Sequence, residues 1–119
     1  MILPPEGKKP GYHHGDLRNA LLAAGEAELA QSGLAGFSLR KVAARAGVSH
    51  SAPAHHFGDL AGLIDALAVR GFDQLLAKMQ AREATAPDDA GERLVASGLG
   101  YLEFAAAHPA LFRLVFGTP

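Results

Sequence analysis

The chain has 119 residues, 49% of them hydrophobic, a formal net charge of −1 and no cysteine. This is enough for one domain, or for a small domain and part of another, with a packed core. Disulfides and thiolate metal sites are excluded, and a cytoplasmic location is allowed. The charge is uneven. Up to Phe57 six basic side chains stand against four acidic ones (+2), and beyond it five stand against eight (−3), so a polyanion would meet the first half.

Residues 1–15 (MILPPEGKKPGYHHG) hold three prolines and three glycines and show no apolar period. They read as a mobile arm, since the apolar pair Ile2–Leu3 is too short for a signal peptide or membrane span. Lys8 and Lys9 either reach a groove or phosphate, as basic arms do, or belong to a plain disordered tail. His13 and His14 are adjacent, so they cannot readily share one ion, and a junction between arm and helix is the simpler role. Asp16 is the N-cap candidate of a helix from Leu17 to about Ser32, closed by Gly33. Its apolar face is Leu17, Leu21, Leu22, Gly25 and Leu29. Leu34 and Phe37 lead on to the next element.

The stretch SLRKVAARAGVSHSAPAHHF, from Ser38 to Phe57, organises the chain. Ser38 caps a short helix whose apolar face is Leu39, Val42, Ala43 and Ala46, while Arg40, Lys41 and Arg45 point elsewhere. Gly47 stops that helix and Val48 returns to the core. Ser49 is positioned to cap a second helix from His50 to about His56, with Pro53 in its first turn. Two helices crossing at a Gly-containing turn suit a helix-turn-helix, whose second helix keeps its leading face free of bulk to enter a major groove about 12 Å wide. An ordinary αα-hairpin has the same outline.

Gly58–Asp59 ends this stretch and caps a helix from Leu60 to about Glu83, with Leu60, Leu63, Ile64, Leu67, Leu75, Leu76 and Met79 as its apolar stripe. A helix of this length connects to a second region. After the linker ATAPDD, a fifth helix from about Ala90 to Ala107 carries Leu94, Leu99, Tyr101, Leu102 and Phe104. His108–Pro109 breaks it and opens a sixth, ALFRLVF, apolar almost all round. Nothing in the sequence remains to cover that last helix, which points to missing residues or a partner chain. With no strand pattern and no repeat, the class is all-α.

Three motifs, YHHGDLRNALLAAG from Tyr12 with the closing Gly33, FSLRKVAARAGVSHSAPAHHFGDLAGLIDAL from Phe37, and HPALFRLVF from His108, resemble the TetR family of bacterial transcriptional regulators. The first two span that family's DNA-binding domain, and the third is similar to the opening of one type of its C-terminal ligand-binding domain. With the flexible arm over 1–15, the resemblance implies a three-helix helix-turn-helix DNA-binding domain over 16–60 and, over 61–119, a connector helix with the first helices of a truncated ligand-binding and dimerisation domain. It further implies a homodimer on a palindromic double-stranded DNA operator and a small-molecule effector that releases the DNA. No cofactor, no metal and no membrane partner is implied.

Carried over by position, Ser38 and Arg40 match phosphate-holding residues. His50, Ser51, Ala52 and Pro53 match the groove-facing start of the recognition helix, and His55 lies near the backbone. Lys41 and Ser49 complete the candidate DNA-binding set. His56 and Phe57 match the pair that locks this helix to the core. Ala54 stands where the family usually has a phosphate-binding tyrosine and Leu60 where it often has a lysine, so weak non-specific binding is expected. His50, Ser51 and Pro53 provide no bidentate base contact of the arginine–guanine kind, so they specify no particular operator.

Other functions fit less well. His50, His55 and His56 lack the i, i+4 spacing that two helical metal ligands prefer. No nucleophile elbow, Gly-rich phosphate loop or paired buried carboxylates can be recognised, so an enzyme is not expected. The rival is a helical protein-interaction module whose basic residues are only a solvated face. In the C-terminal part, Phe104, His108, Leu111, Phe112 and Phe116 are the candidate ligand-binding residues, and aromatic residues at this spacing also suit a plain core.

Overall fold

The computed structural model describes residues 16–117, so the arm with Lys8, Lys9, His13 and His14 lies outside the described residues. Every regular element among those described is a helix: α1 (Leu17–Ser32), α2 (Leu39–Ala46), α3 (Ala52–Phe57), α4 (Leu60–Ala84), α5 (Ala90–Ala107) and α6 (Pro109–Phe116). This is the all-α fold expected from the sequence, and the bounds of α1, α2, α5 and α6 agree with those expected. The residues group into two compact units that divide between Ala66 and Leu67.

The first unit packs α1, α2, α3 and the opening turns of α4. Its core is Leu21, Leu22 and Leu29 from α1, Phe37 ahead of α2, Val42 and Ala43 from α2, Pro53 from α3 and Leu63 from α4. Leu21, Leu22, Gly25 and Leu29 form the inward face of α1 as their spacing requires. Asp16 does not cap that helix. Its own backbone is already helical (φ −68°, ψ −38°), and its side chain makes no cap bond. A capping side chain needs an extended backbone to swing its oxygen over the first free N–H groups, which Asp16 lacks.

The second unit packs the rest of α4 with α5 and α6 around Leu67, Leu75, Phe104, Ala110 and Leu111. Asp89 caps α5 from an extended backbone, accepting from the Glu92 amide at 2.8 Å. The large aliphatic residues of α5 face outward: Leu94 is 74% exposed and Leu102 61%. The buried face is Ser97, Gly100 and Phe104 instead. Small residues lie inward because α5 crosses α4 at close range. A Cβ on Gly100 would stand 2.6 Å from the Lys78 carbonyl oxygen and 2.7 Å from Met79 Cα. Along the same crossing Arg82 donates to Glu103 at 3.1 Å through Nε and again through its terminal nitrogen. Both partners are partly exposed, so solvent screening keeps this pair's contribution small.

Gly100→Ala therefore should lower the stability of the second unit by about 1–3 kcal/mol, because backbone must move to admit the methyl group. Gly98→Ala is the control, since nothing lies within 4 Å of the added Cβ. It should be neutral or stabilising by up to about 1 kcal/mol through helix propensity. Denaturant midpoints of the two variants check both outcomes.

Candidate nucleic-acid interface

Helix α2 starts at Ser38, whose backbone is extended (φ −150°, ψ 154°) and whose Oγ accepts from the Lys41 amide at 3.1 Å. The Lys41 ammonium folds back to donate to the Gly36 carbonyl at 3.1 Å. At the other end Gly47 takes the left-handed conformation (φ 72°, ψ 33°), which a side chain would strain. Its N–H donates to the Ala44 carbonyl and the Val48 N–H to the Ala43 carbonyl, each at 3.1 Å. This pair of bonds satisfies two carbonyls at the helix end and fixes the direction in which the chain leaves it.

Helix α3 begins later than the spacing suggests. Ser49 does not cap it, because its hydroxyl pairs with the Ser51 hydroxyl at 3.2 Å and only its carbonyl accepts, from the Ala52 amide at 3.1 Å. The regular helix opens at Ala52, leaving His50 and Ser51 in the turn. Past the helix, Gly58 reverses the chain with φ 87°. Asp59 then caps α4, its Oδ1 accepting from the Gly62 amide at 2.8 Å. The corner is tight: a Cβ on Gly62 would fall 1.9 Å from the Phe57 carbonyl oxygen.

These elements bring most of the candidate residues onto accessible surface of the first unit. Arg40, Lys41, Ser49, His50, Ser51 and His55 are exposed, and Ser38 and Ala52 are half-buried. Pro53 differs from the rest of the set: its ring is fully buried and belongs to the core. A ring with no N–H suits the first turn of a helix, and its apolar surface is what α3 contributes inward. His56 and Phe57 are both half-buried. The His56 ring meets that of His55 edge-on at 5.5 Å, and the Arg18 guanidinium lies 5.1 Å from the centre of the Phe57 ring, tying the start of α1 to the end of α3.

The candidate ligand residues of the second unit separate. Phe104 and Leu111 have no exposed surface and lie in the core of the second unit. Their side chains face inward from α5 and α6. His108 is half-buried and stacks on Phe104 at 5.4 Å. Phe112 and Phe116 join Tyr101 in an aromatic group with centroids 5.0–5.9 Å apart. An open recess of about 350 Å³ lies beside α4, lined by Gln74, Ala77, Lys78, Ala81 and His108, so of the candidate set only His108 borders it. Among the described residues, no group of three or more His, Asp or Glu side chains could hold a metal ion, and no helix is long and apolar enough to cross a membrane.

Residues 21–67, from α1 through the corner into α4, match the family of bacterial regulatory proteins, tetR family. This N-terminal domain, residues 21–67, is thus of the TetR type. Its fold is similar to that of a protein of unknown function from Rhodococcus sp. RHA1, with 44% identity and a TM-score of 0.76, over 91% of this chain and 57% of that one. It is also similar to a TetR family transcription regulator from Marinobacter aquaeolei VT8, with 25% identity and a TM-score of 0.72, over 83% of this chain and 51% of that one. The chain thus spans little more than half the length of either. No curated protein matches it.

One charged residue of this TetR-family domain went unnoticed in the sequence. Glu28 is buried on α1, next to Leu29 and on the face of Leu21, Leu22 and Gly25. An acid on an apolar stripe was the available signal, because a buried carboxylate needs partners. Ser32 donates its hydroxyl to Oε2, and Arg45 donates to Oε1 through Nε at 3.2 Å and a terminal nitrogen at 3.1 Å. The Ser32 hydrogen bond and the Arg45 guanidinium hold the Glu28 carboxyl below the usual carboxylate range, against the opposing effect of burial.

A lowered carboxyl value means that this group's stabilisation is complete above the ordinary glutamate value and is lost as pH falls through the lowered one. Unfolding midpoints taken from neutral pH to below about pH 4 should therefore drop in the wild-type chain and drop less steeply in Glu28→Gln. Equal slopes in the two proteins would show that other carboxylates carry the acid sensitivity.

Proposed function

We propose that the chain is part of a DNA-binding transcriptional regulator of the bacterial cytoplasm, a ligand-responsive repressor that holds a palindromic operator as a homodimer. The observation that carries this reading is the family match over residues 21–67 on a helix-turn-helix whose accessible surface presents Arg40, Lys41, Ser49, His50, Ser51 and His55. Arg40, Lys41 and Ser38 stand at the start of α2 and serve the phosphates. His50 and Ser51, in the turn ahead of α3, meet base edges, and His55 lies near the backbone. Exposed Leu94, Val95 and Leu102 give the second unit apolar surface of the kind that partner chains cover. In this mechanism an effector bound near α5 and α6, at the recess bordered by His108, tilts α4 and changes the spacing of the two recognition helices.

Ala54 and Leu60 lack the phosphate contacts of a tyrosine and a lysine, so non-specific affinity is weak and the operator complex depends on few ionic contacts. Selection from random double-stranded DNA, with retention followed against salt, tests the reading. A palindrome should be enriched, and both Arg40→Ala and His50→Ala should abolish that enrichment. Arg40→Ala should also reduce the slope of log affinity against log salt by about one. Retention that is equally low at low and high salt, with nothing enriched, would favour the protein-interaction module instead.

A further inference from the structure

Arg45 is the one basic residue of α2 whose side chain turns inward to an acid. It sits in the last turn of that helix, and both of its bonds go to Glu28 Oε1, on a different helix. Arg40 and Lys41, by contrast, stand in the first turn, and Lys41 bonds only to a backbone carbonyl beside its own helix. The acid is held on its second oxygen by Ser32, one turn further along α1. Glu28 is buried, so its geometry is fixed by packing, and Arg45 is only partly exposed, at 39% of its side chain. The resulting bridge crosses from α1 to the end of α2, immediately before the Gly47 turn that aims His50, Ser51 and α3.

We propose that Glu28 and Arg45 are a positioning pair for DNA reading, in which Arg45 is committed to Glu28 and sets the exit of α2 rather than holding a phosphate. The inference rests on the DNA-binding reading above and deepens it by removing one cation from the contact surface. A guanidinium with two donors on a buried carboxylate is held in a fixed plane, which a lysine ammonium would not be. Fixing the end of α2 fixes the turn, and a turn displaced by a fraction of an ångström moves every side chain that meets a base edge.

The test measures affinity for the selected operator and for random duplex across a salt series, with folding of each variant followed by circular dichroism. Arg45→Gln should weaken operator binding at every salt concentration while leaving the slope of log affinity against log salt unchanged, whereas Arg40→Gln should reduce that slope by about one. Glu28→Gln should release the guanidinium, so its slope should steepen by about one while the preference for operator over random duplex falls. If either single variant fails to fold, the pair Glu28→Gln with Arg45→Gln, which strands no buried charge, keeps the comparison open. Its slope should equal that of the wild type. A slope reduced by about one in Arg45→Gln or in the double variant would make Arg45 a phosphate contact and overturn the proposal. Unchanged operator affinity in every variant would overturn it as well. A wild-type chain that retains no DNA at any salt concentration would instead sink the regulator reading itself, an outcome visible before any variant is made.

Discussion

The base-edge contacts proposed for His50 and Ser51 depend on the reversal at Gly47. The left-handed glycine and the two amide bonds that close behind it set the angle at which the chain leaves α2. Without that angle His50 and Ser51 would not stand ahead of α3, and the ring of Pro53 would not reach the core. The turn is held from both sides. Ser38 fixes where α2 begins, and Glu28 fixes where it ends through Arg45. A short helix of this kind has little stability of its own, so its geometry comes from its caps and from burial of Val42 and Ala43.

The second unit follows a different packing rule. Its helices approach by omitting side chains rather than by interlocking large ones: Gly100 meets the α4 backbone, and Gly71 meets Leu111 and Val115 of α6. A crossing built on glycines leaves the aliphatic residues of α5 on the outside, where Leu94, Val95, Leu99 and Leu102 form an exposed stripe. The small residues Ser97 and Gly100 of this helix thus lie inward and most of its large aliphatic ones outward.

The fold was legible in the sequence wherever a single residue type had one local job. Ser38, Gly33, Gly47, Gly58, Asp59 and Pro109 each mark a boundary through backbone chemistry that needs no distant partner. The misses arose where two local options competed or where a partner was far along the chain. Asp16 and Ser49 are both good capping types. One sits on a backbone that is already helical, and the other has a hydroxyl engaged by Ser51. Pro53 was placed in the first turn correctly, but its burial was not legible, because position in a six-residue helix does not fix a face. The partner of Glu28 lies 17 residues away, and no periodicity joins them. Pattern alone pointed to the accessible positions of Arg40, Lys41, His50 and Ser51. It did not fix whether Phe104 and Leu111 are buried, since an aromatic or aliphatic residue at helical spacing serves a pocket and a core equally well.

The corner between α3 and α4 carries one more consequence. Gly62 packs so closely on the Phe57 carbonyl, and Asp59 ties that turn so directly to the first free amides of α4, that the joint has no slack. It is an elbow without play rather than a hinge. Motion at the start of α4 must then be carried into α3 as a rigid displacement, not absorbed as bending between them. Within the first unit the two helices are thus joined as one block, and no flexible residue separates them.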